Sequence, residues 1–178
     1  MSSSKFVTLY TGTKMWVGKP YIGPAVKGHV EHGPGIYFTT HLATARRYAG
    51  GARTVLRVEV DPNLTWLEDV KVPLSVLTDW VQNQPGLRKK KEILSDLRTR
   101  NPQGRVAALV NLMHYYGAIT GDQGPALAEF LVRLGISASH VPASGTEEWV
   151  VLFDPAKVLS WRKVDANETE WELPRVKR

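Results

Sequence analysis

Trp149-Val150-Val151-Leu152-Phe153 is an unbroken apolar run, entered from two carboxylates, Glu147 and Glu148, and closed by Asp154-Pro155. A strand with one wet face alternates apolar and polar side chains. A strand without alternation needs cover on both faces. This chain must therefore place a layer on each side of a sheet. Arg53 to Val60 shows the other pattern: Leu56, Val58 and Val60 share one face, Arg57 and Glu59 the other, and Asp61-Pro62-Asn63 ends the strand. Further strands are expected at Phe6 to Tyr10, Gly35 to Thr39 and Val158 to Val164.

The layers come from helices. Lys14 to Gly33 is a loop rich in glycine and proline. His41 to Ala49 suits a short helix stopped by Gly50-Gly51. Leu74 to Gln82 follows Pro73, which suits a first helical turn, and Lys89 to Arg98 is a charged, exposed helix. Arg105 to Tyr116 spaces Val106, Leu109, Val110 and Met113 as one apolar face, with Gly117 as its stop. Ala126 to Leu134 lies between Gly124-Pro125 and Gly135. Strands at both ends of a helical middle predict an α+β domain.

The 178 residues suit one domain, and 43% hydrophobic content excludes wholesale disorder. No cysteine is present, which removes disulfides, thiolate metal sites and cysteine nucleophiles together. No apolar run reaches membrane-spanning length and no signal-peptide core follows Met1, so a soluble, cytoplasmic protein without membrane partners is expected. The histidines form no metal-ligand pair with an intervening glutamate, and neither a P-loop nor a Gly-x-Ser-x-Gly elbow occurs; no metal is expected. No coiled-coil seam indicates an oligomeric state. The net charge of +6 is uneven. Between Gly86 and Arg105, seven basic residues stand against two acidic ones, a surplus of five. Such a cluster attracts polyanions or an acidic protein face, or forms a solvated helix face.

Three short segments carry more than their local structure. Tyr10-Thr11-Gly12-Thr13 ends the first strand. Gly35-Ile36-Tyr37-Phe38 follows, with Tyr48 eleven residues after Tyr37. Glu147-Glu148-Trp149-Val150-Val151 comes near the end. In this order they resemble the three-part NAD-binding signature of ADP-ribosyltransferases, closest to the branch with poly(ADP-ribose) polymerases and diphtheria toxin. The resemblance implies a split β-sandwich, two packed sheets around an NAD cleft, in a single domain over residues 1–165. A helical insertion of about 72–134 and a C-terminal tail of 166–178 complete it. It implies a mono-ADP-ribosyltransferase with NAD as a consumed co-substrate and a macromolecular acceptor, protein or nucleic acid. Compact stand-alone domains of this kind resemble bacterial toxins and phage effectors, for which the relevant cytoplasm is the host's.

The chemistry states what such a site needs. Breaking the nicotinamide–ribose bond leaves positive charge on the ribose, as in glycoside hydrolysis. The nicotinamide must be clamped, a carboxylate must face the developing charge, and an acceptor must stand nearby. Glu148, at the lip of the apolar strand, is the expected carboxylate. Glu147 is its rival, because one residue of register exchanges which of the two faces the cleft. The resemblance makes Tyr37 and Tyr48 the stacking pair and Gly35 the point of close backbone approach. It makes Gly12 the backbone partner of the carboxamide, with Thr13 beside it. Thr11 replaces the histidine of the polymerase branch and donates over a shorter reach. Lys14 and Arg47 are candidates for the pyrophosphate, and His41 for a phosphate or the cleft.

Ala45 stands where the family has a serine for the carboxamide. Thr146 stands where arginine-modifying members have glutamate or glutamine, which argues against arginine as the acceptor. Arg88, Lys89, Lys90 and Lys91, in a segment without family counterpart, are candidates for target docking. Two other readings stay open: a non-catalytic module that binds NAD, ADP-ribose or nucleic acid, and an NAD glycohydrolase with water as acceptor.

Overall fold

The computed structural model describes residues 7–13, 15–26, 29–50, 54–143 and 145–169. The strands are β1 (Val7–Thr13), β2 (Ile36–Thr39), β3 (Thr54–Val60), β4 (Ala138–Pro142), β5 (Glu148–Leu152) and β6 (Val158–Lys163). The helices are α1 (Leu42–Ala49), α2 (Leu74–Asn83), α3 (Lys90–Arg100), α4 (Val106–Tyr115) and α5 (Gln123–Arg133). The α+β class is as expected. The strands form a six-stranded sheet in the order β4-β5-β2-β1-β3-β6, with every neighbouring pair antiparallel. The two packed sheets implied by the resemblance are not seen among the described residues. Their nearest equivalent is a thin seam. β1 pairs with β3 along its whole length, from Val7↔Val60 to Thr13↔Thr54, but meets β2 only at Tyr10↔Thr39.

The register sorts side chains onto two faces. Tyr37 lies opposite Val151, and Thr39 lies between Tyr10 and Trp149, so these residues share one face. Phe38, Val150, Leu152, Leu9, Leu56 and Val58 share the other, in a core closed by Trp16, Leu64, Trp66 and Trp161. Strand β5 is thus buried on both faces, as its lack of alternation requires. Over the first face lie two separate layers. Helix α1 seats Leu42 and Ala45 on Tyr10. Helices α2 to α5 build their own core from residues such as Leu77, Leu97, Leu109, Met113 and Leu131, and bury Val151 and Phe153 beneath it.

Two glycines make the close approaches possible. A Cβ on Gly12 would lie 2.4 Å from the Ala45 carbonyl oxygen and 2.5 Å from the Ala49 nitrogen, so α1 rests directly on the β1 backbone. A Cβ on Gly35 would lie 2.6 Å from Val151 Cγ1 and 2.7 Å from the Leu152 carbonyl oxygen. The described part of the tail packs back: Glu168 takes both terminal nitrogens of Arg162 at 2.8 Å, and Arg46 reaches the Glu168 carbonyl at 2.7 Å.

Candidate functional site

Between α1 and the loop before β2, the sheet face stays uncovered at the seam. There a cavity of about 520 Å³ opens, within the ~300–1,000 Å³ usual for small-molecule sites. Three sequence segments meet in it. Gly12 and Thr11 come from β1. Tyr37 and Thr39 come from β2, with Gly35 just before it. Thr44, Ala45 and Tyr48 come from α1. The loop before β2 adds His29, Glu31 and His32, and β5 adds Trp149. The structure therefore brings Tyr37, Tyr48, Gly12, Gly35 and Thr11 to one place. The side chain of Thr11 belongs by alternation to the face of Leu9 and Leu56, so its main chain borders the cavity. Beyond Tyr10↔Thr39 this edge of β1 has no paired residue of β2.

Tyr37 and Tyr48 behave differently. The Tyr37 hydroxyl accepts from the His32 amide at 3.1 Å and donates to the Gly33 carbonyl at 2.9 Å, fastening the loop down. Burial pushes its phenol up to about 12, the His32 hydrogen bond works against that rise, and the Glu31 charge adds to it. Tyr37 should stay un-ionised when ordinary tyrosines, near 10, have lost their proton. An ultraviolet alkaline titration of wild type and Tyr37→Phe checks this: the difference between them should titrate near 12, and a difference centred at 10 would contradict the clamp. Tyr48 is 57% exposed. Its ring stands edge-on to Trp149, 6.3 Å between centroids, and the Arg47 guanidinium lies over the Tyr48 ring, 5.7 Å from its centroid.

The carboxylates divide as the register dictates. Glu148 shares the face of Val150 and Leu152, opposite the cavity, and stands 3.5 Å from His140 Nε2. The expectation that Glu148 faces the same cleft as Tyr37 is thereby corrected. Pairing of Thr39 with Trp149 puts residue 149, and residue 147 two before it, on the cavity side. Glu147 is 9% exposed. Its Oε1 accepts from Thr39 Oγ1 at 2.7 Å and from Trp149 Nε1 at 2.8 Å. Burial raises its pKa, but hydrogen bonds from Thr39, Trp149 and Thr44 and the nearby His41 outweigh burial, so it lies below the ordinary glutamate value. His41 sits at the start of α1 with Nε2 3.3 Å from Thr146 Oγ1, near Glu147.

Other expected residues lie elsewhere. Thr13 ends β1 paired with Thr54 and does not line the cavity. Lys14 lies outside the described residues. Arg88 and Lys89 lead into α3 and Lys90 and Lys91 open it, in the helical layer, and none of them lines the cavity. Within that cluster Lys89 pairs with Glu92 at 2.9 Å and Lys90 caps the Gln82 carbonyl at 2.9 Å. Trp149 is the third aromatic wall, although in the sequence it stands only as the first residue of the apolar run. Its polar handle was the available signal: a buried indole N–H needs an acceptor, and Glu147 stands two residues earlier on the same face. Among the described residues, no group of three His, Asp or Glu is placed to hold a metal ion, and no helix is long and apolar enough to cross a membrane.

No family model and no curated protein matches the chain. Among solved structures, a crystal structure of an anti-CRISPR protein is similar at 12% identity and a TM-score of 0.45, over 90% of this chain and 97% of that one. A likeness of that size carries no argument about function.

Proposed function

We propose that this chain transfers one ADP-ribose unit from NAD to a macromolecular acceptor and releases nicotinamide. The supporting observation is the convergence of Tyr37, Tyr48 and Trp149 on one cavity, with an ionised carboxylate, Glu147, on the same sheet face. Three aromatic walls suit a flat ring, held by stacking and apolar burial. The near-split between β1 and β2 suits the divided sandwich of the resembled family, with the free β1 edge at Gly12 turned to the carboxamide. In the reaction, the bond from ribose C1′ to the nicotinamide nitrogen breaks and its electron pair leaves with nicotinamide. The acceptor nucleophile bonds to C1′ and gives up its proton. Glu147 faces the positive charge that grows on the ribose between these events.

The acceptor meets the protein through charge. Arg88 just before α3, and Lys91 and Arg98 on it, are exposed and carry no ion pair among the described residues, whereas Lys89 and Lys90 are engaged. Replacing Arg88, Lys91 and Arg98 by alanine should slow acceptor modification at least about tenfold, the lower end of electrostatic steering, and leave acceptor-free NAD cleavage unchanged. An equal fall in both would remove the docking role.

A second reading is a non-catalytic NAD or ADP-ribose module. It is favoured by the burial of Glu147 among its hydrogen-bond donors, and by Thr11 and Ala45 where the family has histidine and serine. Adenine-labelled NAD, incubated with the protein and cell lysate, separates these readings. Label in a macromolecular fraction, matched by nicotinamide, supports transfer. Free ADP-ribose matching nicotinamide marks a glycohydrolase, and binding without consumption marks the module.

A further inference from the structure

The Trp149 indole joins two walls of the cavity to Glu147, which lies on the same sheet face but does not itself line the cavity. Its Nε1–H points at Glu147 Oε1, 2.8 Å away. Its ring stands edge-on to Tyr48 of α1 at 6.3 Å and 83°, and to His32 of the loop at 6.2 Å and 63°. Threonine hydroxyls such as those of Thr39 and Thr44 rotate to suit other acceptors, whereas an indole N–H has one direction, set by the ring. Here the ring is held by neighbours from two other elements. We propose that Trp149 is the positioning residue of this site: it fixes the Glu147 carboxylate on the cavity face and ties its placement to both walls of the cavity. The kinetic part of this inference rests on the transfer reading above; the geometric part does not.

Ionisation follows from the same contact, since donation to the anion favours it. The charged and titratable groups on the surrounding elements are His41 just before α1, Arg47 with Tyr48 on α1, Glu31 and His32 on the loop, Tyr37 on β2, and Glu148 with His140 across the sheet. Of these, His41 acts on Glu147 in the same direction as the hydrogen bonds. Removing the Trp149 donor therefore raises the pKa of Glu147. Because the ionised form is the active one, the acid limb of the rate profile moves to higher pH.

The test uses the full chain with Trp149→Phe, which keeps an aromatic ring and removes the N–H, and with benzothienylalanine at position 149, which keeps the indole shape and removes only the N–H. The Glu147 carboxyl is titrated by NMR in each. Both replacements should raise its pKa above wild type. Where NAD is cleaved, kcat should fall about ten- to a hundredfold, the effect of losing a partner that orients a functional ligand, with KM for NAD nearly unchanged in the benzothienyl protein. An unmoved Glu147 titration in the benzothienyl protein overturns the proposal, whether or not Trp149→Phe folds. A raised titration in a protein that releases no nicotinamide upholds the positioning role and counts against the transfer reading instead.

Discussion

Gly12→Ala should lower the melting temperature by about 6–12 °C. That follows from an overpacking cost of about 3 kcal/mol and a shift of about 2–4 °C per kcal/mol for a domain of this size. The atoms that a methyl group would strike are the Ala45 carbonyl oxygen at 2.4 Å and the Ala49 nitrogen at 2.5 Å. Both are main-chain atoms inside α1, so no side chain can swing away. The helix itself must lift from β1. Lifting α1 also moves Thr44 and Tyr48, so the variant should lose NAD binding along with stability. Thermal denaturation followed by circular dichroism measures the first effect. A melting temperature within about 2 °C of wild type would mean that α1 is not seated as described, since even 1 kcal/mol gives a shift of that size.

Glu147→Gln should reduce nicotinamide release about 10²–10³-fold, the loss seen when one preorganised electrostatic partner of a transition state is removed. Glutamine keeps an oxygen for the Thr39 and Trp149 hydrogen bonds, so the substitution removes charge while keeping shape. Glu148→Gln should leave release within a few-fold of wild type, because its side chain stands across the sheet with His140. The pH dependence has a definite sign. Glu147 lies below its ordinary pKa, and the proposed reaction uses its anion. Activity should therefore hold at pH values where an ordinary glutamate begins to protonate, and fall only as pH drops through the depressed value.

The helices were legible because their apolar periodicity is strong: Val106, Leu109, Val110 and Met113 all point into the helical core. Strand β5 was legible because nothing but burial on two faces explains five apolar residues in a row. Strand β4 was not. Ser137-Ala138-Ser139-His140-Val141-Pro142 is polar, ends in proline and reads as loop, yet Thr65 accepts the Ser137 amide and Glu68 the His140 amide at this sheet edge. Such partners lie about seventy residues away and leave no local trace; the Glu68–His140 bond spans 72 residues. The near-split sheet was equally hidden, since a seam of one residue pair depends on how far β1 and β2 diverge.

The site shows the same division. The aromatic residues Tyr37 and Tyr48 and the glycines Gly12 and Gly35 were found from their order and spacing. Which of two adjacent glutamates faces the cavity depends on a long-range register, Tyr37 against Val151, that no local pattern carries. Gly12 shows a further limit: its place in the motif was visible, but the packing of α1 upon it was not.

Mass spectrometry of nicotinamide release from NAD by purified wild type, Glu147→Gln and Glu148→Gln, with lysate present, tests the role of Glu147 and the transfer chemistry together. Wild type and Glu148→Gln should release nicotinamide, and Glu147→Gln should lose that release almost completely. Release that survives Glu147→Gln, or no release by wild type, would contradict that expectation.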